Sequence, residues 1–183
     1  GLGSISFFDP KRVVAFPQLS LASGAIKGWD RRNQFYFQML GSLAKHAGFD
    51  LERPFSRLPE RVQQLVLYGS GDESIPFTYL SERGRPVVRE HAFEGIIPNL
   101  ERRYRETDSD WSRERIEEYM SVRPCPECKG ARLRPESRAV TVAGKPIHEF
   151  TALSAARALE WVEALELSDQ DRAIARLILR EIE

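Results

Sequence analysis

The sequence predicts an α+β fold of mixed helices and short antiparallel strands, with a helical C-terminal segment after a Cys-x-x-Cys turn. Three observations support this prediction. Apolar residues recur at helical spacing in several segments, two strand-like runs flank a short polar turn, and the chain after its only two cysteines again repeats apolar residues at helical spacing. With 183 residues, of which 42% are hydrophobic, the chain is long enough to bury a substantial core.

The start of the chain is expected to form strands and loops, because residues 1–30 are rich in turn formers and short apolar runs. Trp29 falls in this region and is expected to be exposed in a loop. A helix is predicted from Asn33 to His46, with Gly48 after its end. The aromatic residues of this helix are expected mostly in the core. Its predicted apolar stripe consists of Phe35, Met39, Leu40 and Leu43.

The middle of the chain predicts three further helices and a hairpin. Pro59 is expected to open a helix through Leu67, with Val62, Leu65 and Val66 facing inward. The runs Ile75–Leu80 and Pro86–Arg89 predict a hairpin around a turn at Glu82–Arg85. The other two helices are predicted at Gly95–Tyr104 and Ser112–Met120.

The C-terminal third predicts a hinge, a small hairpin and two helices. The segment Arg123–Arg138 is poor in apolar residues and full of turn formers, which is typical of a hinge. A hairpin is predicted from Ala139–Val142 and Lys145–Ile147. Ser154 and Ser168 are candidate N-caps of the final helices. The residues expected to face inward are Ala158, Leu159, Val162 and Leu165 in the first helix and Ile174, Leu177, Ile178 and Ile182 in the second.

The charges of the chain balance overall but are unevenly distributed. There are 27 basic and 27 acidic residues. Basic residues dominate between Lys11 and Lys45 and between Arg123 and Arg138, whereas the stretch Glu106–Met120 holds six acids against two arginines. Such segregation can place a basic surface on a neutral protein, which suits a phosphate backbone. The alternative is an ordinary solvated surface of mixed charge.

Three clusters of cations with neighbouring aromatic residues are candidate contacts for a nucleic-acid backbone. Arginine and lysine give affinity without sequence preference because they displace counterions from phosphates. The predicted contact residues are Lys27, Arg31 and Arg32 at a turn entering a helix, Arg83, Arg85 and Arg89 on the hairpin, and Arg102, Arg103 and Arg105 on a later helix. The alternative for Arg102 and Arg103 is pairing with Glu101 and Glu106 on a solvated helix.

Cys125 and Cys128, in the segment CPECKG, have the spacing of half a tetrahedral zinc site, in which two thiolates bind one metal from a tight turn. Structural zinc takes four ligands, and His148 is not expected to be one, because it lies in a predicted strand. Two alternatives are a thiol–disulfide pair and a pair of inert thiols. A redox pair requires a preceding strand and a helix that starts at the first cysteine, and the sequence indicates neither.

No catalytic signature is present, so the chain is not expected to be an enzyme. It has no GxxxxGK[ST], LSGG or GxSxG motif, and its three histidines lie in unrelated contexts. The glycine loop Gly69-Ser70-Gly71 precedes two acids, which repel phosphate. No apolar run approaches the roughly 20 residues that a bilayer requires, and no signal peptide is evident. A cytoplasmic location without a membrane partner is expected.

Four segments of the chain resemble, in the same order, segments of the UvrA family, the ATP-dependent damage-recognition subunits of bacterial excinuclease. The segments are GAIKGWDRRNQFYFQML, VLYGSG, HAFEGIIPNLERRYRET and RPCPECKGARLRPESR. The resemblance extends over essentially the whole chain. It implies a DNA-binding segment of a DNA repair protein that acts in nucleotide excision repair and the SOS response.

The resemblance implies that residues 8–122 form the insertion domain, which contacts DNA, and that residues 123–183 form part of the signature domain with half of a zinc module. A second Cys-x-x-Cys motif of the family lies just before the insertion domain. The tripeptide Gly1-Leu2-Gly3 resembles the end of that motif. The other two zinc ligands are therefore expected upstream of Gly1.

The resemblance also implies the properties of the longer parent protein. Members of the UvrA family are ABC-type ATPases that work as homodimers with UvrB on damaged double-stranded DNA. ATP is therefore expected to bind to the parent protein and not to this chain. Because the lesions are chemically diverse, the contacts are expected to be with the duplex backbone and its deformability, without strong sequence preference. The alternative is a protein-interaction or spacing module within UvrA that does not itself bind DNA.

Overall fold

The computed structural model describes residues 1–80 and 85–182 and divides the chain into two compact units. The larger unit is Ser6–Ser121, and the smaller unit contains Gly1–Ile5 and the chain from Val122 onward. Strands β1 (Ser4–Phe8) and β4 (Met120–Pro124) form a two-stranded sheet. Helices and short strands are mixed in the described residues, which confirms the predicted α+β fold class.

The larger unit begins with two elements in a region predicted as strands and loops. Strand β1 is followed at once by the short helix α1 (Pro10–Val13), which the sequence reading did not predict. Asp9 caps α1, since its Oδ1 accepts a hydrogen bond of 2.9 Å from the backbone N–H of Lys11. The Asp9 carboxylate also accepts from the Ser121 hydroxyl at 2.8 Å, and these hydrogen bonds lower the pKa of Asp9.

Helix α2 (Gln34–Ala47) confirms the predicted helix, because the Asn33 side chain caps its N-terminus and Gly48 follows its end. Leu40 and Leu43 are fully buried, as the apolar stripe predicted. The prediction was wrong for Phe35, whose side chain is 55% exposed. Phe35 lies at the second residue of the helix and stacks on Tyr79 at a ring-centroid distance of 5.8 Å, so it covers the edge of the core instead of entering it.

Strands β2 (Ser74–Leu80) and β3 (Pro86–Ala92) form the predicted hairpin, and their antiparallel register pairs Ser74 with Ala92 and Phe77 with Arg89. The predicted turn at Glu82–Arg85 falls largely outside the described residues, as does Arg83. Ile75 and Phe77 on one face are fully buried and pack toward α2. The opposite face of the hairpin is exposed along its described length, so the hairpin is covered on one side only.

Helices α3 (Glu60–Tyr68) and α4 (Ile96–Glu106) pack against each other. Both confirm predicted helices, and a short 3-10 turn precedes α3 at Phe55–Arg57. Their faces enter a single core of the larger unit. The fully buried large side chains of that core include Leu21, Ile26, Leu40, Leu43, Val66, Ile75, Phe77, Phe93 and Ile96.

The last part of the larger unit differs from the prediction of one helix over Ser112–Met120. Helix α5 runs from Asp110 to Glu117, with the Ser109 side chain as its cap, and Met120 already belongs to strand β4. The helix stops early because β4 pairs with β1, a partner more than a hundred residues away in the chain. Local periodicity contains no information about such a distant partner.

The smaller unit contains the cysteine turn, a hairpin and four helices among the described residues. The hairpin of β5 (Thr141–Val142) and β6 (Lys145–Pro146) confirms the prediction, although it is shorter than expected. His148 does not lie in a strand as predicted, because a one-turn helix, α7, starts directly after β6. The helices are α6 (Pro135–Arg138), α7 (Ile147–Phe150), α8 (Ala155–Glu163) and α9 (Asp169–Ile182).

Ser154 and Ser168 cap α8 and α9, as predicted. The Ser168 hydroxyl accepts a hydrogen bond of 3.1 Å from the backbone N–H of Asp171, and the Ser154 hydroxyl accepts one from Arg157. The prediction of an inward face was wrong for three residues of α9, which are 64–71% exposed: Ile174, Leu177 and Ile178. The side chain of Ile182 lies outside the description. No helix in the described part of the chain is long and apolar enough to span a bilayer.

Candidate nucleic-acid interface

A groove of about 490 Å³ in the larger unit brings together cations from three segments of the chain. We call it the basic groove. Lys27 contributes from the loop before α2, Arg103 from α4 and Arg115 from α5. One carboxylate, Glu118, also lines it, so three positive charges face one negative charge. The aromatic residues that line it are Trp29, Tyr36, Trp111 and Tyr119.

Lys27 is held at the groove by buried Trp29, which stacks on the partly buried Tyr36. Trp29 stacks on Tyr36 with ring centroids 4.0 Å apart and lies edge-on to Phe93 at 6.3 Å. The prediction that Trp29 is exposed was wrong, since only 3% of its surface is accessible. Its apolar ring anchors the loop to the core and leaves the exposed Lys27 ammonium at the surface.

Arg103 and Arg115 approach the same tyrosine from two helices. Burial raises the pKa of the Tyr119 phenol and Glu118 raises it further, whereas the positive charges of Arg115 and Arg103 act in the opposite direction. Arg103, Arg115 and Tyr119 all line the basic groove. In the described part of the chain, neither Lys27 nor Arg103 forms an ion pair, so their charge is available to a ligand.

Trp111 forms an exposed rim of the groove, and the sequence reading missed both it and Arg115. The two residues are four apart on α5 and therefore lie on one helix face. The Arg115 guanidinium lies 5.2 Å from the centroid of the Trp111 ring. Their helical spacing was the available signal. It was overlooked because Glu106–Met120 is acidic in sum.

Two of the predicted cations in the first cluster pair with carboxylates instead of lying free. Arg31 pairs with Glu52, and both side chains are more than half exposed. The Arg32 Nε donates to both Asp30 oxygens, at 3.0 and 3.2 Å, and its backbone N–H donates to the same carboxylate at 2.9 Å. Asp30 is buried, so Arg32 is the partner of a core carboxylate. These hydrogen bonds lower the pKa of Asp30.

Arg102 forms ion pairs with two carboxylates, those of Glu94 and Glu106. Its Nε and Nη2 donate to Glu94 at 2.7 and 3.0 Å, and its Nη1 donates to Glu106 at 3.0 Å. The first of these contacts lowers the pKa of Glu94 and raises that of Arg102. Asn99 donates to the same Glu94 carboxylate at 2.9 Å. Arg102 therefore links Glu94, which lies just before α4, to Glu106, the last residue of that helix.

The remaining predicted cations are exposed but do not line the basic groove. Arg89 lies on β3 beside Tyr79, and Arg85 precedes that strand. Arg105 lies exposed in the last turn of α4. The structure thus brings together Lys27 and Arg103 from the predicted set, adds Arg115, and separates them from the hairpin cations.

Cys125 and Cys128 form a tight turn in the smaller unit. The backbone N–H groups of Arg132 and Gly130, together with the Cys125 thiol, hydrogen-bond to the Cys128 sulfur and lower its pKa. Ala131 donates its N–H to the Cys128 carbonyl at 2.9 Å, which closes the turn. Two adjacent sulfurs with converging N–H groups fit half of a tetrahedral thiolate site for zinc.

The described residues supply two thiolates and no third ligand at this turn, since they contain no group of three or more histidine, cysteine or acidic side chains placed to hold a metal. Residues 1–3 run beside the turn. The Gly1 amino group donates to the Arg132 carbonyl at 2.9 Å, and the Cys125 N–H donates to the Gly3 carbonyl at 2.9 Å. The residues present fit two corners of a four-ligand site.

Comparison with known proteins gives consistent matches. The family model described as the UvrA DNA-binding domain matches residues 9–118. The whole chain is 58% identical to UvrABC system protein A of Neisseria meningitidis and 53% identical to that of Pseudomonas aeruginosa, over 182 residues in both cases. The chain spans about a fifth of the length of these curated relatives, 19% in each.

The solved structures agree at the level of the fold. The crystal structure of UvrA2 from Deinococcus radiodurans is similar to this chain with a TM-score of 0.63 and 24% identity, over 99% of this chain and 24% of the other. The family model covers more than half of the chain. The chain therefore belongs to the UvrA family, and its residues 9–118 match that family's DNA-binding domain.

Proposed function

We propose that this chain is the DNA-contacting part of a UvrA protein in bacterial nucleotide excision repair, and that the basic groove holds the phosphate backbone of the duplex. The observation that carries the proposal is the convergence of Lys27, Arg103 and Arg115 on one groove without ion-pair partners among the described residues. Phosphate contacts by such cations give affinity without sequence preference.

The predicted contact residues differ in the role that we propose for them in DNA binding. Lys27 and Arg103 are the primary contacts. Arg31 is a secondary one, because an exposed ion pair such as Arg31–Glu52 contributes little stability and can exchange for a phosphate. Arg32 and Arg102 hold carboxylates of the fold. The exposed hairpin cation Arg89 and the exposed Arg105 belong to the proposed surface around the groove.

We also propose separate roles for the two parts of the chain. Residues 8–122 act as the DNA-contacting insertion domain, and residues 123–183 as part of the signature domain. ATP hydrolysis, dimerisation, work with UvrB and a cytoplasmic location belong to the longer parent protein. ATP-driven movement of that parent would shift the groove along the duplex.

The test is fluorescence anisotropy with a labelled, fully paired DNA duplex. The variant Lys27→Ala/Arg103→Ala is expected to weaken binding about tenfold, because two phosphate contacts are lost. The matched control Lys45→Ala/Arg57→Ala removes two exposed positive charges that do not line the groove and is expected to change affinity by less than about twofold, or about 0.3 log unit. Equal affinities for all three proteins would instead favour a protein-interaction or spacing module.

We also propose that Cys125 and Cys128 supply two of the four ligands of a structural zinc ion, with the other two from elsewhere in the longer protein. When bound, zinc would cross-link the turn to those residues. Titration of the longer protein with Co²⁺ tests this, since thiolate coordination produces a charge-transfer absorption. The band is expected to weaken in Cys125→Ser. An unchanged band would exclude Cys125 as a ligand, and the same measurement on Cys128→Ser tests the second thiol.

A further inference from the structure

Of the three tryptophans in the chain, Trp111 is the one whose ring lies open to solvent. Trp29 is stacked on Tyr36 in the core, and Trp161 packs on Phe150 at a ring-centroid distance of 5.1 Å. Trp111 is 67% exposed and, within the described residues, contacts no other aromatic ring. An indole exposed to this extent contributes little to the core, and it stands at the rim of the basic groove.

We infer that Trp111 is a specificity-determining residue of the basic groove: it stacks on a base that has left the helical stack, while Lys27, Arg103 and Arg115 hold the adjacent phosphates. The inference rests on the proposed DNA contact and deepens it. It predicts that the chain prefers DNA with locally unpaired bases to the same DNA fully paired.

The arrangement of the rim supports stacking. The Arg115 guanidinium sits 5.2 Å from the Trp111 ring centroid, four residues away on the same helix, and so restricts the ring on one side. The remaining ring surface faces solvent. The groove beside it, about 490 Å³, falls within the range of about 300–1,000 Å³ of clefts that bind small molecules. A nucleotide fits a cleft of this size.

A fully paired duplex offers no free base face on which an indole ring can stack. In a continuous duplex both faces of each base are covered by neighbouring bases, and the backbone offers phosphates that a guanidinium binds better than an indole does. A base out of the stack exposes its π-face, and aromatic side chains in single-strand-binding proteins stack on such faces without sequence preference. Mismatched or damaged bases are the cheapest to unstack. The Trp111 ring therefore favours distorted DNA.

The charge of the groove favours nucleic acid over a protein partner. Three cations face the single carboxylate of Glu118. A partner protein would have to supply an acidic surface and an apolar contact for the ring together, whereas every nucleotide supplies a phosphate and a π-face. The protein partner becomes an outcome of the test below.

The experiment compares two labelled DNA probes of equal length and charge, a fully paired duplex and the same duplex with a central bubble of about six unpaired bases. The full chain and Trp111→Leu are titrated with each probe. Leucine keeps an apolar side chain but removes the π-face. Phe16→Leu, a change at an exposed aromatic residue away from the groove, is the matched control.

The full chain is expected to bind the bubble more tightly than the duplex. Trp111→Leu is expected to weaken bubble binding about tenfold, the effect of losing one base stack, and to change duplex binding by less than about twofold, or about 0.3 log unit. Equal loss on both probes, or no loss on either, overturns the inference; no loss on either would point to a protein contact. The Lys27→Ala/Arg103→Ala variant separates the two proposals, because it should weaken binding to both probes.

Tryptophan fluorescence gives a second readout that a merely structural role would not change. In the Trp161→Phe protein, the emission comes from buried Trp29 and exposed Trp111. Addition of the bubble probe is expected to quench the Trp111 part of the emission, since a stacked base quenches an indole. The paired duplex is expected to quench it less. Equal quenching by both probes contradicts stacking on an unpaired base.

Discussion

At the scale of single residues, the function of each arginine depends on the carboxylate nearest to it. Arg32 and Arg103 were predicted alike as phosphate contacts. The structure gives Arg32 a buried carboxylate partner two residues away, whereas Arg103 has no ion-pair partner among the described residues. A sequence shows which charges are close along the chain but not which carboxylates are buried and must be neutralised. Burial of Asp30, not its proximity alone, commits Arg32 to the fold.

Asp30 is expected to stabilise the larger unit through these contacts. Its side chain is only 4% exposed and accepts hydrogen bonds from the Arg32 guanidinium and backbone N–H. Asp30→Asn keeps the size of the side chain but removes the charge, so the free energy of unfolding at neutral pH is expected to fall by about 1–3 kcal/mol. Urea unfolding followed by circular dichroism measures this change. Asp72→Asn, at an exposed acid of a loop, is the control and is expected to have little effect.

The pH dependence of this difference follows from the sign of the pKa shift. Hydrogen bonds from Arg32 lower the pKa of folded Asp30 below its ordinary value of 3.8. The stabilisation by the carboxylate is therefore fully present above pH 3.8 and is lost as the pH falls through the lower, folded pKa. The difference in the free energy of unfolding between the full chain and Asp30→Asn should therefore become smaller as the pH falls below 3.8. A gap that stays constant down to acid pH would exclude the carboxylate as its cause.

At the scale of elements, the prediction from sequence succeeded where a helix has its own cap and its own apolar period. Helix α9 begins after Ser168, the predicted cap, and helix α2 begins one residue after the predicted start at Asn33, whose side chain caps it. The missed elements are short: α1, α6 and α7 have four residues each, and β4 has five. Segments of one helical turn or five strand residues are too short to show a repeating apolar pattern, and tertiary contacts decide their conformation.

Two glycines join α3 to α4 through a close backbone approach. Gly95 has a φ of +88°, and a Cβ added to it would lie 2.4 Å from backbone atoms of Gly69 and Tyr68. Gly95→Ala is therefore expected to lower the free energy of unfolding by at least about 3 kcal/mol, since a strained φ alone costs about 1–3 kcal/mol and the clash adds to it. Chemical denaturation of the variant measures the loss.

The same chain provides two matched controls for this prediction. Gly71 also has a positive φ, but a Cβ added to it would meet nothing within 4 Å, so Gly71→Ala is expected to cost only about 1–2 kcal/mol. Gly41 lies within α2 with open space around it, and Gly41→Ala is expected to stabilise by about 0.5–1 kcal/mol. If Gly95→Ala cost no more than Gly71→Ala, the close approach would be irrelevant to stability.

At the scale of the whole molecule, sequence analysis identified the family and part of the candidate interface. It selected Lys27 and Arg103 but missed Arg115 and Trp111, because it weighed charge by segments and α5 lies in an acidic one. The residues that line the basic groove extend from Lys27 to Tyr119 in the chain, so only the tertiary fold brings α4, α5 and the loop before α2 together there. Net charge along the chain cannot report such an arrangement.

The zero net charge of the chain allows the salt dependence of its DNA affinity to be predicted. A neutral protein has little long-range attraction for DNA, so binding should depend on the few cations that touch phosphates. Three such contacts predict a slope of about −2.7 for log K against log salt, which is about a 40-fold loss of affinity between about 50 and 200 mM salt. In Lys27→Ala/Arg103→Ala the slope should fall to about −0.9. Anisotropy titrations at four salt concentrations measure both slopes. A slope that the double substitution leaves unchanged would mean that other cations, such as Arg89 and Arg105, make the phosphate contacts.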